Sequence, residues 1–509
     1  MNQCMIRSIF YRTYHSAKKK PRFRYAPSPT GFMHIGGLRT CFINYLHAKK
    51  TGGTFILRIE DTDRDRFNPN AIGDLYESLD YFGIIPGECP RSGGSYGPYI
   101  QSERKTIYDK WSQKLLDSGS AYRCFCSVKR LELLRKSSSG SGYDNRCRNI
   151  SAQNLDSNLK SSLPFVIRLK LPKMKMTFID DNYGSMDFLL GELEGDPIMV
   201  KTDGMPVYHF ANVVDDHLMK ITNVVRGAEW LTSTAKHLAL YNSFGWNPPD
   251  YCHLPLMTTS SGKKLSKRSP EFEEIGLVKG LRKAGYLPEA ILKWLVASGG
   301  GFHASYRDMN SIEDFINNFD PQSLKKESAQ VDVDQFKCIA RETFDWFLDR
   351  EPRKLVEKFK IYSLQYHPQL FENFPKDDQQ LIDQFRKLNG RLEKFSDLYD
   401  PVSDYRFIWI PVNQEHLRCT ILADPQFQSL LAKAPEIVDK FRSNVFSASP
   451  DELQRVCKET KVNKKLLLSF LRLLLTGNKQ GLPLQTICEL ISMDQVKSRL
   501  DESVRFLLD

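Results

Sequence analysis

No aspartate or glutamate precedes Glu60. The same stretch carries Arg7, Arg12, Lys18, Lys19, Lys20 and Arg22, with Ser8, Thr13, Ser16 and the apolar Ile6, Ile9 and Phe10. A basic, hydroxyl-bearing leader without acids has the composition of a mitochondrial transit segment. Residues 1–20 are therefore expected to direct import into the mitochondrial matrix and to add nothing to the core. A basic tail that binds a polyanion is the alternative. Long apolar runs are also missing. Leu466-Leu467-Leu468-Ser469-Phe470-Leu471-Arg472-Leu473-Leu474-Leu475 is short and carries Arg472, so it reads as a core helix and not as a membrane span. Regular cysteine spacing is scarce. Eleven cysteines, odd in number and mostly scattered, fit reduced thiols better than a disulfide framework. No internal repeat is found.

What is present is size and positive charge. The 509 residues have room for about three domains. A net charge of +11 suits a polyanionic partner, though a charged, solvated surface would produce it too.

The most informative stretch is Pro27-Ser28-Pro29-Thr30-Gly31-Phe32-Met33-His34-Ile35-Gly36-Gly37. Phe23-Arg24-Tyr25-Ala26 before it reads as a buried strand. After it, Leu38, Cys41, Phe42, Tyr45 and Leu46 fall on one helical face, and Gly52-Gly53 ends that helix. Thr54-Phe55-Ile56-Leu57-Arg58-Ile59 reads as a second strand. The layout is βαβ, with a glycine turn at a helix entrance, where exposed N–H groups favour an anion such as triphosphate. Glu60-Asp61-Thr62-Asp63-Arg64 then lies at the strand end where parallel sheets bind ligands. Much farther on, a Ser260-Ser261-Gly262 turn delivers Lys263-Lys264-Leu265-Ser266-Lys267-Arg268. Alone, that run is a surface basic patch. Paired with the His34 turn, it suits a clamp on departing pyrophosphate.

These motifs together resemble the class I aminoacyl-tRNA synthetases, and within them the glutamyl-tRNA synthetases of bacterial and organellar type. The matching segments are residues 27–37, 57–64, Gly97-Pro98-Tyr99, Tyr208-His209, residues 213–219, Arg226-Gly227 with Glu229-Trp230, and residues 264–268, in the family's order. Leu471-Arg472-Leu473-Leu474-Leu475-Thr476-Gly477 looks like the family's C-terminal helical signature. The resemblance implies an interrupted Rossmann-type α/β catalytic domain followed by an α-helical anticodon-binding region. It implies ligation of glutamate to the terminal adenosine of glutamate tRNA, with ATP and Mg²⁺ consumed through a glutamyl-adenylate. Glutamine tRNA is a second acceptor to test, and a monomer is expected. Carried over by position, His34, Lys264 and Lys267 would be catalytic. ATP would meet Thr30, His34, Gly36, Gly37, Glu229, Trp230, Lys264, Leu265, Ser266, Lys267 and Arg268. Glutamate would meet Arg24, Ala26, Ser28, Glu60, Tyr208, Asn212 and Arg226. Here the chemistry of the residues agrees, since Glu60 can receive an ammonium while Arg24 and Arg226 suit a carboxylate.

Six segments are expected: the leader to 20, first catalytic half 21–119, an inserted acceptor-stem domain 120–205, second catalytic half 206–275, a helical stem-contact region 276–335, and an anticodon-binding region 336–509. Asp215-Asp216-His217 is read as pocket support in a turn, and no metal is assigned there. Cys124-x-Cys126 with Cys147 has the look of a zinc knuckle. The position two past Cys147 is Asn149, a poor ligand, and Tyr143 is a weak substitute, so no tightly bound zinc is expected. A tRNA-binding protein without catalysis would lack the lysine loop. A relative that modifies a tRNA base would lack residues 330–509. The glutaminyl enzyme shares the fold, but Arg226 favours glutamate.

Overall fold

The computed structural model describes residues 8–11, 20–137, 143–191, 195–265, 272, 275–302, 305–375, 377–400, 403–442 and 450–508. The chain divides into two compact units. One holds Met1–Leu281 with Leu292–Val333, the other Arg282–Ile291 with Asp334–Asp509.

The first unit is built on a seven-stranded sheet. Its strands are β1 (Ser8–Tyr11), β2 (Arg22–Tyr25), β3 (Thr54–Leu57), β6 (Met174–Asp180), β7 (Gly184–Leu190), β9 (Asn223–Gly227) and β10 (Asp250–Leu254). Their order is β1-β6-β10-β9-β2-β3, with β7 antiparallel on β6 and every other pair parallel. Between the strands run α1 (Ile35–Lys50), α2 (Pro69–Tyr81), α3 (Lys105–Asp117), α6 (Tyr208–Leu218) and α7 (Leu231–Phe244). The helical face read from the sequence is the buried one: Leu38, Cys41, Phe42, Tyr45 and Leu46 are all core residues of α1. The regular part of the expected second strand stops at Leu57, but residues 58–60 keep bonding to both sides, the Arg58 and Glu60 amides to the Tyr25 and Pro27 carbonyls and the Ile59 amide to the Tyr99 carbonyl.

The segment 120–205 is not one insertion. Only β4 (Ala121–Cys124), β5 (Val166–Leu169) and β8 (Ile198–Val200) form a separate antiparallel sheet, flanked in sequence by α4 (Val128–Ser137) and α5 (Ala152–Lys160). The β6–β7 hairpin returns to the main sheet, with Met176 and Phe178 in its core. Its alternation of buried and partly exposed residues gives it one face to pack. The leader also departs from expectation. One edge of β6 is covered by β7, while the other meets β10 only at Asp180. Ser8–Tyr11 pairs parallel with residues 175–178 of that edge. An open strand edge offers unpaired backbone groups, and Ile9-Phe10-Tyr11 is β-prone sequence.

Past residue 275 the pattern is less purely helical than expected. Gly300–Phe302 pairs antiparallel with Phe319–Leu324, and Met257–Thr258 pairs parallel with Ala329–Gln330. Gly300 and Gly301, at φ of 67° and 95°, end the Pro288–Gly299 helix and turn the chain back. Most of the 276–335 region thus belongs to the first unit.

The second unit is helical. Its helices include Pro352–Tyr366, Asp378–Lys387, Lys464–Thr476 and Met493–Leu508. The leucine run is a core helix, with Leu467, Phe470, Leu471 and Leu473 to Leu475 buried, and Gly477 at φ 82° closes it. Tyr405-Arg406-Phe407-Ile408-Trp409-Ile410 looks strand-like in sequence but forms a short 3₁₀ turn at Arg406–Ile408. Among the described residues this unit offers no strand to pair with, and a lone strand is not stable. No described helix is long and apolar enough to cross a membrane, and every described cysteine is a free thiol.

Candidate active site

A cavity of about 870 Å³ opens where β2, β3, β9 and β10 end and α1 and α6 begin. Every described residue expected in the ATP or glutamate site lines it: Arg24, Ala26, Ser28, Thr30, His34, Gly36, Gly37, Glu60, Tyr208, Asn212, Arg226, Glu229, Trp230, Lys264 and Leu265. Ser266, Lys267 and Arg268 lie outside the described residues. The strand carboxyl ends form one rim because all four strands are parallel, so their following loops converge.

At the entrance, His34 is the N-cap of α1, and its Nδ1 accepts a hydrogen bond from the Gly37 amide at 3.1 Å. That bond commits Nδ1 and leaves Nε2 as the ring's other polar edge. No acid stands in the first turn of α1, so nothing there opposes an anion at the helix end. A Cβ on Gly37 would lie 2.9 Å from the buried Tyr25 hydroxyl, and one on Gly36 would lie 3.1 Å from the His34 ring. Glycine is required here by close approach. Lys264 comes from the opposite rim. Gly262, at φ 78°, makes the turn, and the Leu265 amide donates to the Met257 carbonyl at 3.0 Å. Lys264 is left exposed at the cavity edge.

Below the cavity floor lies a buried network of charges. Arg58 is fully buried and reaches Asp216 at 2.7 Å, Glu60 at 2.9 Å and Asp215 at 3.8 Å. Burial alone would lower its pKa. The three carboxylates outweigh burial and hold it well above the ordinary arginine value. Arg24 shares Asp216 at 3.3 Å, and Arg104 takes Asp215 at 2.7 Å. Gln101 and the Tyr108 hydroxyl also donate to Asp215. Asp215 and Asp216 therefore support the pocket, as read, but from inside α6 rather than from a turn. The Glu60 hydrogen bonds, from Arg58 and Asn212, all fall on Oε1. Oε2 accepts none of them and is the oxygen left for an ammonium. Burial raises the Glu60 pKa, and Arg58 opposes the rise.

Arg226 differs from Arg24, Arg58 and Arg104, each of which has a carboxylate partner. Its Nε donates to His253 Nε2 at 3.0 Å, and one Nη to Thr234 Oγ1 at 2.7 Å. The other Nη faces His237 Nδ1 at 3.2 Å and the Tyr208 hydroxyl at 3.4 Å, and the Trp230 carbonyl is 3.4 Å from the first. All five partners are neutral. Among the described residues no carboxylate lies within ion-pair distance of Arg226. The guanidinium is held in place with its charge uncompensated. Arg24, by contrast, already has Asp216. Tyr208 packs against Trp230 at 4.2 Å between centroids, the rings tilted by 34°.

Sequence reasoning named the lining residues and missed their supports: Arg58, Thr234, His237, His253 and Asp180. The available signal was a charged or polar residue inside an apolar strand, as in Ile56-Leu57-Arg58-Ile59 and Tyr251-Cys252-His253-Leu254.

The cysteine cluster is a separate feature. Cys124, Cys126 and Cys147 bring their sulfurs within 4.8 Å of one another. The Tyr143 hydroxyl sits 3.2 Å from Cys124 and 3.9 Å from Cys126, and accepts the Cys147 amide at 3.2 Å. Burial pushes the Cys126 thiol up to about 11. At Cys124 burial acts the same way, but hydrogen bonds, first from Tyr143, outweigh it and lower the thiol. Asn149 is exposed in the Arg146–Asn149 turn. The sequence leaves this knuckle one donor short, and the structure puts the Tyr143 oxygen beside the sulfurs. Three sulfurs and one oxygen make the four donors that a structural zinc takes.

Comparison with known proteins agrees with this geometry. A family described as "tRNA synthetases class I (E and Q), catalytic domain" matches residues 20–338, and an "Anticodon binding domain" family matches residues 354–504. A glutamate–tRNA ligase of Finegoldia magna is 35% identical over 498 residues, covering 95% of this chain and 99% of that one. One from Clostridium novyi is 36% identical over 475 residues, covering 90% and 92%. The crystal structure of a glutamate tRNA ligase from Elizabethkingia meningosepticum, in complex with its amino acid, superposes with a TM-score of 0.73 at 29% identity, over 96% of this chain and all of the other. The Rossmann-like unit, the helical unit that follows it in sequence and relatives matched along almost the whole length place this chain in the class I tRNA synthetase family of the E and Q type, as a ligase enzyme.

Proposed function

We propose that the enzyme activates L-glutamate with ATP and transfers it to glutamate tRNA in mitochondrial translation. One observation carries the choice of amino acid. The cavity presents a guanidinium with no counter-charge, Arg226, and a carboxylate with a spare oxygen, Glu60. Glutamate has the complementary set: a side-chain carboxylate for the first and an ammonium for the second. Glutamine matches the shape, but its NH₂ would face more donors. The relatives named above act on glutamate.

The catalytic steps follow from the placement of groups. The bound α-carboxylate attacks the α-phosphate of magnesium-bound ATP, and pyrophosphate leaves. The α1 entrance, with His34, Gly36 and Gly37, holds phosphates by the helix dipole and the Gly36 amide, the Gly37 amide being taken by His34 and the Ile35 amide by the Gly276 carbonyl. Lys264, with Lys267 in the role that the family resemblance gives it, neutralises charge that develops as pyrophosphate departs. Glu229 and Trp230 flank the adenosine. The 2′-hydroxyl of the terminal adenosine then attacks the activated carbonyl, releasing AMP. The helical unit reads the anticodon. Where zinc is supplied, Cys124, Cys126, Cys147 and Tyr143 are the residues that would hold it, in a structural role. The acid-free leader supports a matrix address, and the family resemblance supports a monomer.

The test is charging of purified glutamate and glutamine tRNAs with labelled glutamate and glutamine. Glutamate on glutamate tRNA is the expected product, and the glutamine tRNA arm decides whether it is a second acceptor. Glutamine as the preferred amino acid would overturn the proposal.

A further inference from the structure

Arg226 and His253 face each other because β9 and β10 pair in parallel with His253 opposite Arg226. Behind His253 stands Asp180, at the end of β6. Its Oδ2 lies 2.6 Å from His253 Nδ1. Its Oδ1 accepts from the Asn182 and Tyr183 amides at 3.0 and 2.9 Å, and the His253 amide reaches both oxygens at 3.2–3.3 Å. Both Asp180 and His253 are buried. A carboxylate can only accept, so Nδ1 of His253 must carry the proton. Nε2 is then a bare acceptor, and the two donors aimed at it are Arg226 Nε at 3.0 Å and the Thr234 hydroxyl at 3.3 Å.

Resting on the reading of Arg226 as the glutamate selector, we infer that Asp180 and His253 are positioning residues for amino-acid choice, with Asp180 setting the imidazole tautomer that grips Arg226 without neutralising it. A carboxylate directly on Arg226 would grip it as well but would cancel the charge meant for the substrate. Setting a neutral imidazole between the two keeps the guanidinium both oriented and uncompensated. His237 does the same on the other side. Its Nδ1 faces Arg226 at 3.2 Å, and its Nε2 is 3.0 Å from His209 Nδ1. The Asp180 arm is the decisive one because it alone ends in a fixed charge.

The perturbation is Asp180→Asn. The Asn oxygen keeps the two amide bonds from Asn182 and Tyr183, which turns its NH₂ toward His253 Nδ1. Nδ1 must then accept, and the proton moves to Nε2, where it confronts Arg226 Nε–H donor to donor. An amide in place of the orienting carboxylate imposes the wrong tautomer in the same way in the serine-protease triad. The KM for glutamate should rise roughly 10–100-fold, by analogy with the loss when the outer hydrogen-bond partner of a metal-bound imidazole is removed. The preference for glutamate over glutamine should narrow by a similar factor, with the KM for ATP and the melting temperature close to wild type. In a His253→Phe background, Asp180→Asn should add nothing. A glutamate KM and preference within twofold of wild type would overturn the inference, and so would a loss shared equally by ATP binding and fold stability. Should Asp180→Asn fail to fold, His253→Gln and His253→Phe read the same point. Gln retains an acceptor and should keep most of the preference, whereas Phe should lose it, and equal loss in both refutes the couple. Arg226→Gln separates the two readings. If that variant keeps its preference, the selector itself is wrong. If it loses preference while Asp180→Asn does not, only the couple is wrong.

Discussion

Replacing Arg226 with glutamine removes a buried cation that has no carboxylate partner and leaves an amide of similar reach. The expected loss can be worked from the contacts. Two of the five Arg226 hydrogen bonds are long, 3.4 Å to Tyr208 and 3.4 Å to the Trp230 carbonyl, and they sit on different terminal nitrogens. Those are the N–H groups a substrate carboxylate can claim, one per oxygen. The three shorter bonds, to His253, Thr234 and His237, hold the fork in place meanwhile. Truncating one partner of a buried, hydrogen-bonded charge pair costs about 2–5 kcal/mol, so kcat/KM for glutamate should fall roughly 30- to 4,000-fold. Glutamine brings no charge to lose and should change less than about tenfold by the same reasoning. The KM for ATP should hold, because the α1 entrance is untouched. Adenylate formation measured with each amino acid checks this, with the melting temperature as the control for folding. A variant that keeps the wild-type preference for glutamate refutes the reasoning and makes Arg24 the candidate, despite its bond to Asp216.

Four further outcomes are expected. Lys267→Ala should depress kcat about 10²-fold with little change in the KM for glutamate, since its charge acts mainly on the departing phosphates; near-normal turnover in pre-steady-state assays would rule out the clamp. Gly37→Ala should cost about 1–3 kcal/mol in urea unfolding, because its methyl meets the Tyr25 hydroxyl, and adding Tyr25→Phe should recover part of it. Burial holds His237 well below the ordinary histidine range, pushes His209 down to about 4 and lowers His253 despite Asp180. The unfolded chain therefore binds protons below about pH 6.5 that the folded chain refuses, and stability should fall from pH 6.5 toward 4 by at most about 1.4 kcal/mol per pH unit for each histidine; flat urea midpoints between pH 7 and 5 would contradict this. Ending the chain after Val333 should weaken tRNA charging and flatten its salt dependence while amino-acid activation persists, and full-rate charging by the shortened enzyme would sink the division of labour.

Much of this enzyme is written locally. The 3.6-residue spacing from Leu38 to Leu46, the glycines that close α1 and the Lys464–Thr476 helix, and the turn at Gly262 depend on neighbours a few residues apart, so sequence alone determines them. The cavity-lining residues are legible for a similar reason: they sit in short motifs at strand ends and helix starts. What lies behind them is not local. Arg24, Arg58, Arg104, Asp215 and Asp216 come from segments far apart in the chain, and no spacing rule announces that they share one buried network. Whether Ser8–Tyr11 and the β6–β7 hairpin join the main sheet depends on an open edge of β6, a property of the assembled sheet. The clearest case is Arg226. As a letter in the sequence it promises only a positive charge. That the charge is uncompensated follows from β9 meeting β10 in one register and β10 meeting β6 at Asp180, so that imidazoles stand where carboxylates stand for Arg24, Arg58 and Arg104. A sequence encodes the donor. The pairing of strands decides which acceptors reach it, and so decides what charge remains for the substrate.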